Sequence, residues 1–373
     1  MKKLTCLFAY FCWVASAFAQ SPNAFFPFTN AEGKWGYVDA QKNVKIAYQF
    51  LGASPFYEER AFVARKVPNQ TEHVVSVIDL AGKVLFDVSV VGQQPHELCQ
   101  MDYYRYSDGL LSMPSYDENT PSTYLDKAGK VKITLKKGVF GSASFSEGLA
   151  YAQTSDSTAM YIDITGKKVL DVKASMAVDN DFKGGWVVTS SGIGSGDFSY
   201  LNKKGEKAPF LKNFKHIEDL AAMSEGIAFL ALPNPSTDNY EPILKLLKSD
   251  GSTIPIKIKL RNSTPVTTVT GYRFSEGLAL VHIPDEQASN KKIYLNRQVY
   301  LNKQGEIAFE LPAILKGREG RDGDGQVYIT SGAGKNFYQG LACWIVQTSD
   351  STVKIVYLTP AGKVAFESGE IKI

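Results

Sequence analysis

The chain is short of the residues from which most chemistry is assembled. It carries four Cys and four His in 373 residues. The histidines (His73, His96, His216 and His282) follow no metal-ligand spacing, and His96-Glu97-Leu98-Cys99 is a single pair without a second half, so no metal site is expected. A charge excess of one sign is missing too. Lys and Arg number 41 against 38 Asp and Glu, interspersed along the chain, which excludes the clustered basic face that nucleic-acid binding requires. Beyond the N-terminus no run reaches the roughly 18 consecutive apolar residues of a membrane helix. A hydrophobic content of 44%, with 12% aromatic, is nevertheless enough for a core and excludes wholesale disorder.

The N-terminus has a pattern of its own. Lys2 and Lys3 precede an apolar run from Leu4 to Phe18, and Ala17-Phe18-Ala19 places small residues where a signal peptidase reads them. Residues 1–19 are therefore expected to be a secretory signal and 20–373 the mature, secreted or periplasmic domain. Lipid attachment is not expected, because Cys6 lies too early and Cys12 follows Tyr10-Phe11. Cleavage would leave 354 residues, a formal charge of +1 and two thiols, Cys99 and Cys343. Two thiols make no disulfide framework. They could bridge in an oxidising compartment, but the repeat register places them in units that need not touch.

What the chain has in abundance is itself. Tyr124-Leu-Asp-Lys-Ala-Gly129, Tyr161-Ile-Asp-Ile-Thr-Gly166, Tyr200-Leu-Asn-Lys-Lys-Gly205 and Tyr300-Leu-Asn-Lys-Gln-Gly305 are one motif, with weaker copies starting at Tyr37, Val77, Leu246 and Tyr357. The eight copies are spaced 37 to 57 residues apart, the range of propeller and solenoid repeats. A second tract recurs between them: Phe145-Ser-Glu-Gly-Leu-Ala, Phe274-Ser-Glu-Gly-Leu-Ala and Met223-Ser-Glu-Gly-Ile-Ala, with variants at Phe56, Tyr106, Phe182 and Phe337. Even a linking loop is copied, since Gln153-Thr-Ser-Asp-Ser-Thr158 and Gln347-Thr-Ser-Asp-Ser-Thr352 are identical.

Each unit reads as three short strands. The segment after the tract glycine, such as Leu149 to Gln153, is apolar on both alternating faces and so is buried on both sides. The motif strand follows. Its Asp or Asn can cap a turn through the side chain, and the Gly three residues later suits a left-handed position. Third strands follow at once, as in Val84–Phe86, Ile307–Phe309 and Val364–Phe366. Ala at 61, 150, 228, 279 and 342 marks close contact between successive sheets, because Ala is otherwise depleted in strands.

Glu32-Gly-Lys-Trp35-Gly36-Tyr37-Val-Asp39, together with the Phe-Ser-Glu-Gly-Leu-Ala tracts, resembles the bacterial WG-repeat (KWG-repeat) proteins over most of residues 31–366. Only the first unit keeps the Trp-Gly pair. The resemblance implies an exported, β-rich repeat array and brings no catalytic residues with it. The expected fold is all-β, about eight three-stranded meanders forming a propeller-like ring or, alternatively, an open twisted array. The C-terminal Gly369–Ile373 could pair with the first unit and close a ring.

Other constellations have plain readings. Arg321-Asp322-Gly-Asp324-Gly325 lacks the further donors of a calcium loop, and Gly192-Ile-Gly194-Ser-Gly196 precedes a strand, not the helix a phosphate cradle needs. Glu147, Glu225 and Glu276 recur in register and read as turn residues. Tyr103, Tyr104, Tyr106, Trp186 and Trp344 are candidate surface aromatics for sugars or a protein partner. No catalytic residue, metal ligand or cofactor is expected, and no binding residue can be named. The leading expectation is a non-enzymatic binding or scaffolding module for a protein or glycan at the cell envelope. The alternative is an extracellular carbohydrate-active enzyme with a carboxylate pair in a central pocket. Because insertions collect in loops, partner contacts are expected at 231–243, 284–292 and 316–336, with 93–106 as a separate candidate.

Overall fold

The computed structural model describes residues 24–69, 72–89, 95–100, 105–115, 117, 119–141, 144–154, 158–173, 177–190, 198–235, 242–258, 272–284, 296–315, 318–321, 327–330, 333–334, 336–349 and 351–372. The expected signal at 1–19, the glycine run at 192–196, Asp322 and Asp324, Tyr103, Tyr104 and parts of all four candidate loops, including 285–292, lie outside the described residues. No described helix is long and apolar enough to cross a membrane.

The eight motif copies lie in eight separate antiparallel sheets. Blade 1 is Phe26–Thr29, Trp35–Val38 and Val44–Phe50. Blade 4 is the fuller form, with Val139–Gly141, Leu149–Thr154, Thr158–Asp163 and Lys168–Lys173 in sequential order. Blade 5 pairs a seven-residue leading strand, Ala177–Lys183, with Trp186–Ser190 and Phe198–Asn202 and has only the bridge Leu201–Lys207 in place of a third strand among the described residues. The other blades contain the expected meander, and blades 2, 3, 4, 6 and 8 add a short leading strand. Those extra strands are two or three residues long (Gly52–Ala53 and Asp219–Leu220 are examples), too short to leave an alternating pattern in the sequence. A separate ribbon, Arg318–Arg321 with Val327–Thr330, occupies part of the 316–336 insertion.

The motif turns form as their chemistry dictates. Asp126 Oδ1 accepts the amides of Ala128 and Lys130 at 2.9 Å each, and Asn202 and Asn302 do the same for the residues two and four places on. Gly129 follows at φ +78°. The glycine is needed twice over, since a Cβ there would also lie 2.7 Å from the Phe86 ring of the preceding blade. The same glycine abuts the preceding blade's last strand at Gly82, Gly166, Gly205 and Gly362.

Between blades the contacts are aromatic and repeated. The motif tyrosine of one blade meets the tract phenylalanine of the next: Tyr37 with Phe56 at 4.7 Å between ring centroids, Tyr124 with Phe145 at 5.0 Å, Tyr161 with Phe182 at 4.9 Å and Tyr300 with Phe337 at 5.1 Å. The tract alanines Ala61, Ala150, Ala228, Ala279 and Ala342 are all buried beside them. This is the close approach that their recurrence implied.

The series closes on itself. Phe26 and Phe28 of blade 1 share one core cluster with Tyr357, Phe366 and Ile371 of blade 8. Tyr357 donates its hydroxyl to the Pro27 carbonyl at 2.8 Å and its ring lies 5.5 Å from Phe26. The last sheet therefore meets the first face to face through an aromatic contact and a tyrosine hydroxyl, as blade 1 meets blade 2, and the array is a ring. The C-terminal strand does not make this join. Ile371–Lys372 pairs with Thr352 and Val353 of its own blade, so closure runs through stacked faces and not through an exchanged strand.

Two side-chain expectations are corrected. Cys99 and Cys343 are buried and not joined by a disulfide, yet they belong to the same core cluster, because closure brings blade 8 against blade 1 and the 3-10 turn Pro95–Gln100 tucks beneath blade 2. Trp344 and Tyr106 are buried, not surface anchors. Trp344 lies between blades 7 and 8 with Tyr300, Tyr106 packs among blade 2 and 3 residues, and Trp186 is half-buried against Phe210.

Two glycines separate local strain from packing between blades. Gly109 and Gly129 share φ +78°, but a Cβ on Gly109 would meet nothing within 4 Å. Gly109→Ala should cost only the left-handed strain, about 1–2 kcal/mol, whereas Gly129→Ala must also displace Phe86 and should cost at least about 1 kcal/mol more. Urea denaturation of the two variants measures the difference. The turn carboxylates add a pH dependence. Asp39 is held at about 2, first by its hydrogen bond from the Asn43 side chain and then by turn amides and Lys45, and Asp126 and Asp163 are also lowered. A lowered folded-state pKa stabilises above the unfolded value of about 3.9 and ceases to do so as pH falls through the folded value. Stability should hold from pH 7 to about 5 and decline progressively towards pH 2, read as a falling denaturant midpoint.

Candidate functional site

The second tract makes the rim of the ring's central opening. Ser146 and Leu149 exchange backbone hydrogen bonds across Glu147-Gly148, and both turn residues have positive φ (54° and 84°). Asp108-Gly109, Glu225-Gly226, Glu276-Gly277 and Gln339-Gly340 repeat the geometry, and Glu58-Glu59 keeps it without glycine. A two-residue hairpin with both φ positive favours Asn-Gly, so Glu in the first position needs a reason. The carboxylates supply it. Glu58 accepts from the Gly109 amide at 2.9 Å, Asp108 from Gly148 at 2.7 Å, Glu147 from Gly185 at 2.9 Å, Glu225 from Gly277 at 2.9 Å and Glu276 from Gly340 at 3.0 Å. Each turn thus reaches into the turn of the following blade. A charged hydrogen bond contributes about 1.5–3 kcal/mol, enough to offset the strain of about 1–2 kcal/mol.

Further bonds tie the same turns. Ser146, Ser224 and Ser275 donate their hydroxyls to the carbonyls of Phe182, Phe274 and Phe337 in the next blade. Lys127, Lys203 and Lys303 of the motif turns pair with Glu58, Glu147 and Glu225 at 3.5, 3.7 and 2.9 Å. Burial alone would raise the Glu225 carboxyl, but Lys303 and the amides of Gly277 and Glu276 hold it below its ordinary value. Where blade 8 has Tyr338 instead of Ser, its hydroxyl reaches the Phe56 carbonyl of blade 2 at 2.7 Å. The larger side chain spans blade 1, which has no copy of the tract among the described residues.

Inside this rosette lies a cavity of about 220 Å³ to which blades 1, 2, 3, 6, 7 and 8 all contribute. Ser224 of blade 6 and Tyr57 of blade 2 line it together although three blades separate them on either side, which places it on the ring axis. Its charged and amide lining comes from one repeat position, the residue just before the tract aromatic, while Ser224, Ser275, Tyr57 and Tyr338 come from the position just after it. The preceding residue is Pro55, Arg105, Ser144, Asp181, Ala222, Arg273 and Asn336 in successive tracts. Around it the tract keeps its turn; here the units differ. Pro55, Arg105, Arg273 and Asn336 line the cavity. Arg105 reaches two blades on to Asp181 at 3.4 Å and lies 5.9 Å from the Tyr57 ring. Lys183, where other tracts have Ser or Tyr, stands 3.6 Å from the same Asp181. Phe25, Pro55, Tyr57, Tyr338 and Leu341 supply an apolar wall, and Cys99 and Cys343 also line the cavity.

The expected site residues sort clearly. Glu147, Glu225 and Glu276 are turn residues, as their register implied. No Asp or Glu is among the described residues lining the cavity, and no group of three or more His, Cys, Asp or Glu among the described residues could hold a metal ion. His282 is partly buried beside Tyr272, and burial lowers its pKa. Two of the candidate loops end at the cavity: 93–106 through Arg105 and 316–336 through Asn336. Laying the tracts over one another shows what repeats and hides the position where they differ. The cavity was legible only one residue upstream of the motif.

The turn staples predict a graded response. Glu225→Ala removes the partner of two amides and of Lys303 and should lower stability by about 1–3 kcal/mol. Replacing Ser249, which follows a motif strand without a recurring Lys, should shift it by less than about 0.5 kcal/mol. Denaturant midpoints of the two variants, with unchanged slopes, measure the effect.

No family model and no curated protein matches the chain. Among solved structures, apo AztD from Citrobacter koseri aligns over 94% of each chain at 13% identity and TM-score 0.45. BamB from Moraxella catarrhalis aligns over 85% of this chain and 87% of its own at 10% identity and TM-score 0.43. An acylaminoacyl peptidase in complex with a chloromethyl ketone aligns over 85% of this chain but 52% of its own, at 12% identity and TM-score 0.48. At these values no residue role passes from them to this chain, and the ring assignment stands on its own contacts.

Proposed function

We propose that this chain is an exported, WG-repeat-like binding or scaffolding module that engages a protein or glycan at the cell envelope through the axial opening of its ring. One observation carries the reading: a frame repeated in its turns, staples and aromatic contacts presents a different side chain from almost every unit at a single axial position. Repeat proteins divide labour in this way, with constant positions for stacking and variable ones for recognition. The charged leader and Ala17-Phe18-Ala19 support export. A carbohydrate-active enzyme would need a carboxylate pair about 5–10 Å apart in the central pocket, whereas the rim carboxylates Glu58, Glu147, Glu225 and Glu276 are engaged by amides of neighbouring turns and Asp181 by Arg105 and Lys183. Binding is therefore the reading the geometry favours.

The test has two parts. N-terminal sequencing of exported material should begin at Gln20, and a chain retaining Met1 in the membrane fraction would contradict export. Mature protein should then be presented to a glycan array and to envelope extracts, beside an Arg105→Glu/Arg273→Glu variant with matching circular dichroism. Retention by the native chain and loss by the variant is the expected outcome; equal retention would move recognition away from the axis.

A further inference from the structure

The two arginines that line the axial cavity differ in their pairing. Arg105 and Lys183 both pair with Asp181. Arg273, on the opposite side of the ring, lines the cavity half-buried and has no ion-pair partner among the described residues. The described lining offers no carboxylate to either arginine from inside. A half-buried guanidinium facing a concave site favours an anion there, and its fork of donors matches a carboxylate.

The rest of the lining selects among anions. Phe25, Pro55, Tyr57 and Leu341 form an apolar wall, suited to a ligand with a dry body. The hydroxyls of Ser224 and Ser275 already donate to Phe274 and Phe337. A polyhydroxylated ligand would thus enter a site with few groups left to satisfy it, which is costly. The volume of about 220 Å³, set against roughly 30 Å³ per water molecule, holds on the order of ten non-hydrogen atoms.

We infer that the axial cavity binds a carboxylate carried on a compact apolar or aromatic body, with Arg273 and Asn336 taking the carboxylate and the Phe25, Pro55 and Tyr57 side receiving the body. The inference rests on the binding role proposed above and names the chemistry of its ligand. Two sources present this chemistry, a free organic acid and the C-terminal residue of a peptide.

Titration calorimetry on the whole mature chain tests it with phenylacetate, phenylacetamide, Ala-Ala-Phe as acid and as C-terminal amide, galacturonate and inorganic phosphate. One of the two apolar acids should bind at one site per chain, at least tenfold more tightly than its amide. Tight binding of phenylacetate identifies a free acid as the ligand, and tight binding only of the peptide acid identifies a chain end. Arg273→Gln should weaken binding about ten- to a hundredfold, with Arg273→Lys between the two. If Arg273→Gln does not fold, Asn336→Asp, which places a negative charge in the lining, should give a comparable loss. Equal affinity for acid and amide, no response to either substitution, or tighter binding of galacturonate or phosphate would overturn the inference. Failure of every acid to bind, with partner retention still lost in the Arg105→Glu/Arg273→Glu variant, would reject this ligand and leave the binding role standing.

Discussion

The edge contact between a motif tyrosine and the next blade's phenylalanine is the interaction on which the ring depends. Each sheet is apolar on both faces, so it is stable only between two others, and a linear stack would leave two faces wet. Closure removes both. Tyr357 meets Phe26 and the Pro27 carbonyl as Tyr37 meets Phe56 and the Ser54 carbonyl. The join between the ends of the chain is built from the same parts as an internal one. Aromatic pairs of this kind contribute about 0.5–1.5 kcal/mol beyond the area they bury. Where blade 6 has Leu246 in place of the tyrosine, Phe229 stacks on Phe274 instead, so the contact is kept by another residue.

The turns then convert stacking into register. Face-to-face packing of sheets tolerates sliding, whereas a carboxylate bound to one particular amide of the next blade does not. Glu in a left-handed position is a local conflict that only the neighbouring turn resolves. Blade 5 shows the rule by its exception. It has Gly184 where other tracts carry an acid or amide, with Lys183 in place of Ser or Tyr, and at that point the run of staples is interrupted and Asp181 gathers Arg105 and Lys183. The departure from the repeat and the concentration of charge at the axis occur in the same unit.

What repeats was readable from the sequence, because each copy of a motif confirms the others: the Asp and Asn turns, the left-handed glycines, the close-packed alanines and the turn role of Glu147, Glu225 and Glu276. What occurs once was not. Cys99 and Cys343, 244 residues apart, meet only because blade 8 returns to blade 1. Trp344 reads as a candidate anchor by composition and is buried by its neighbours' geometry. The short leading strands, such as Gly52–Ala53, take their form from the sheet they join. Arg105 and Arg273 gain meaning only when the ring places them across one cavity.

Closure is the claim from which the cavity, its charge and its proposed ligand all follow. Lys42 of blade 1 donates to the Glu367 carbonyl of blade 8, so spin labels at positions 42 and 367, in a chain with both thiols replaced by Ser, report on the join directly. A closed ring predicts one narrow distance distribution at about 20 Å or less. An open array would separate the labels by seven sheet spacings of about 10 Å, roughly 70 Å, and a distribution centred there would contradict the account.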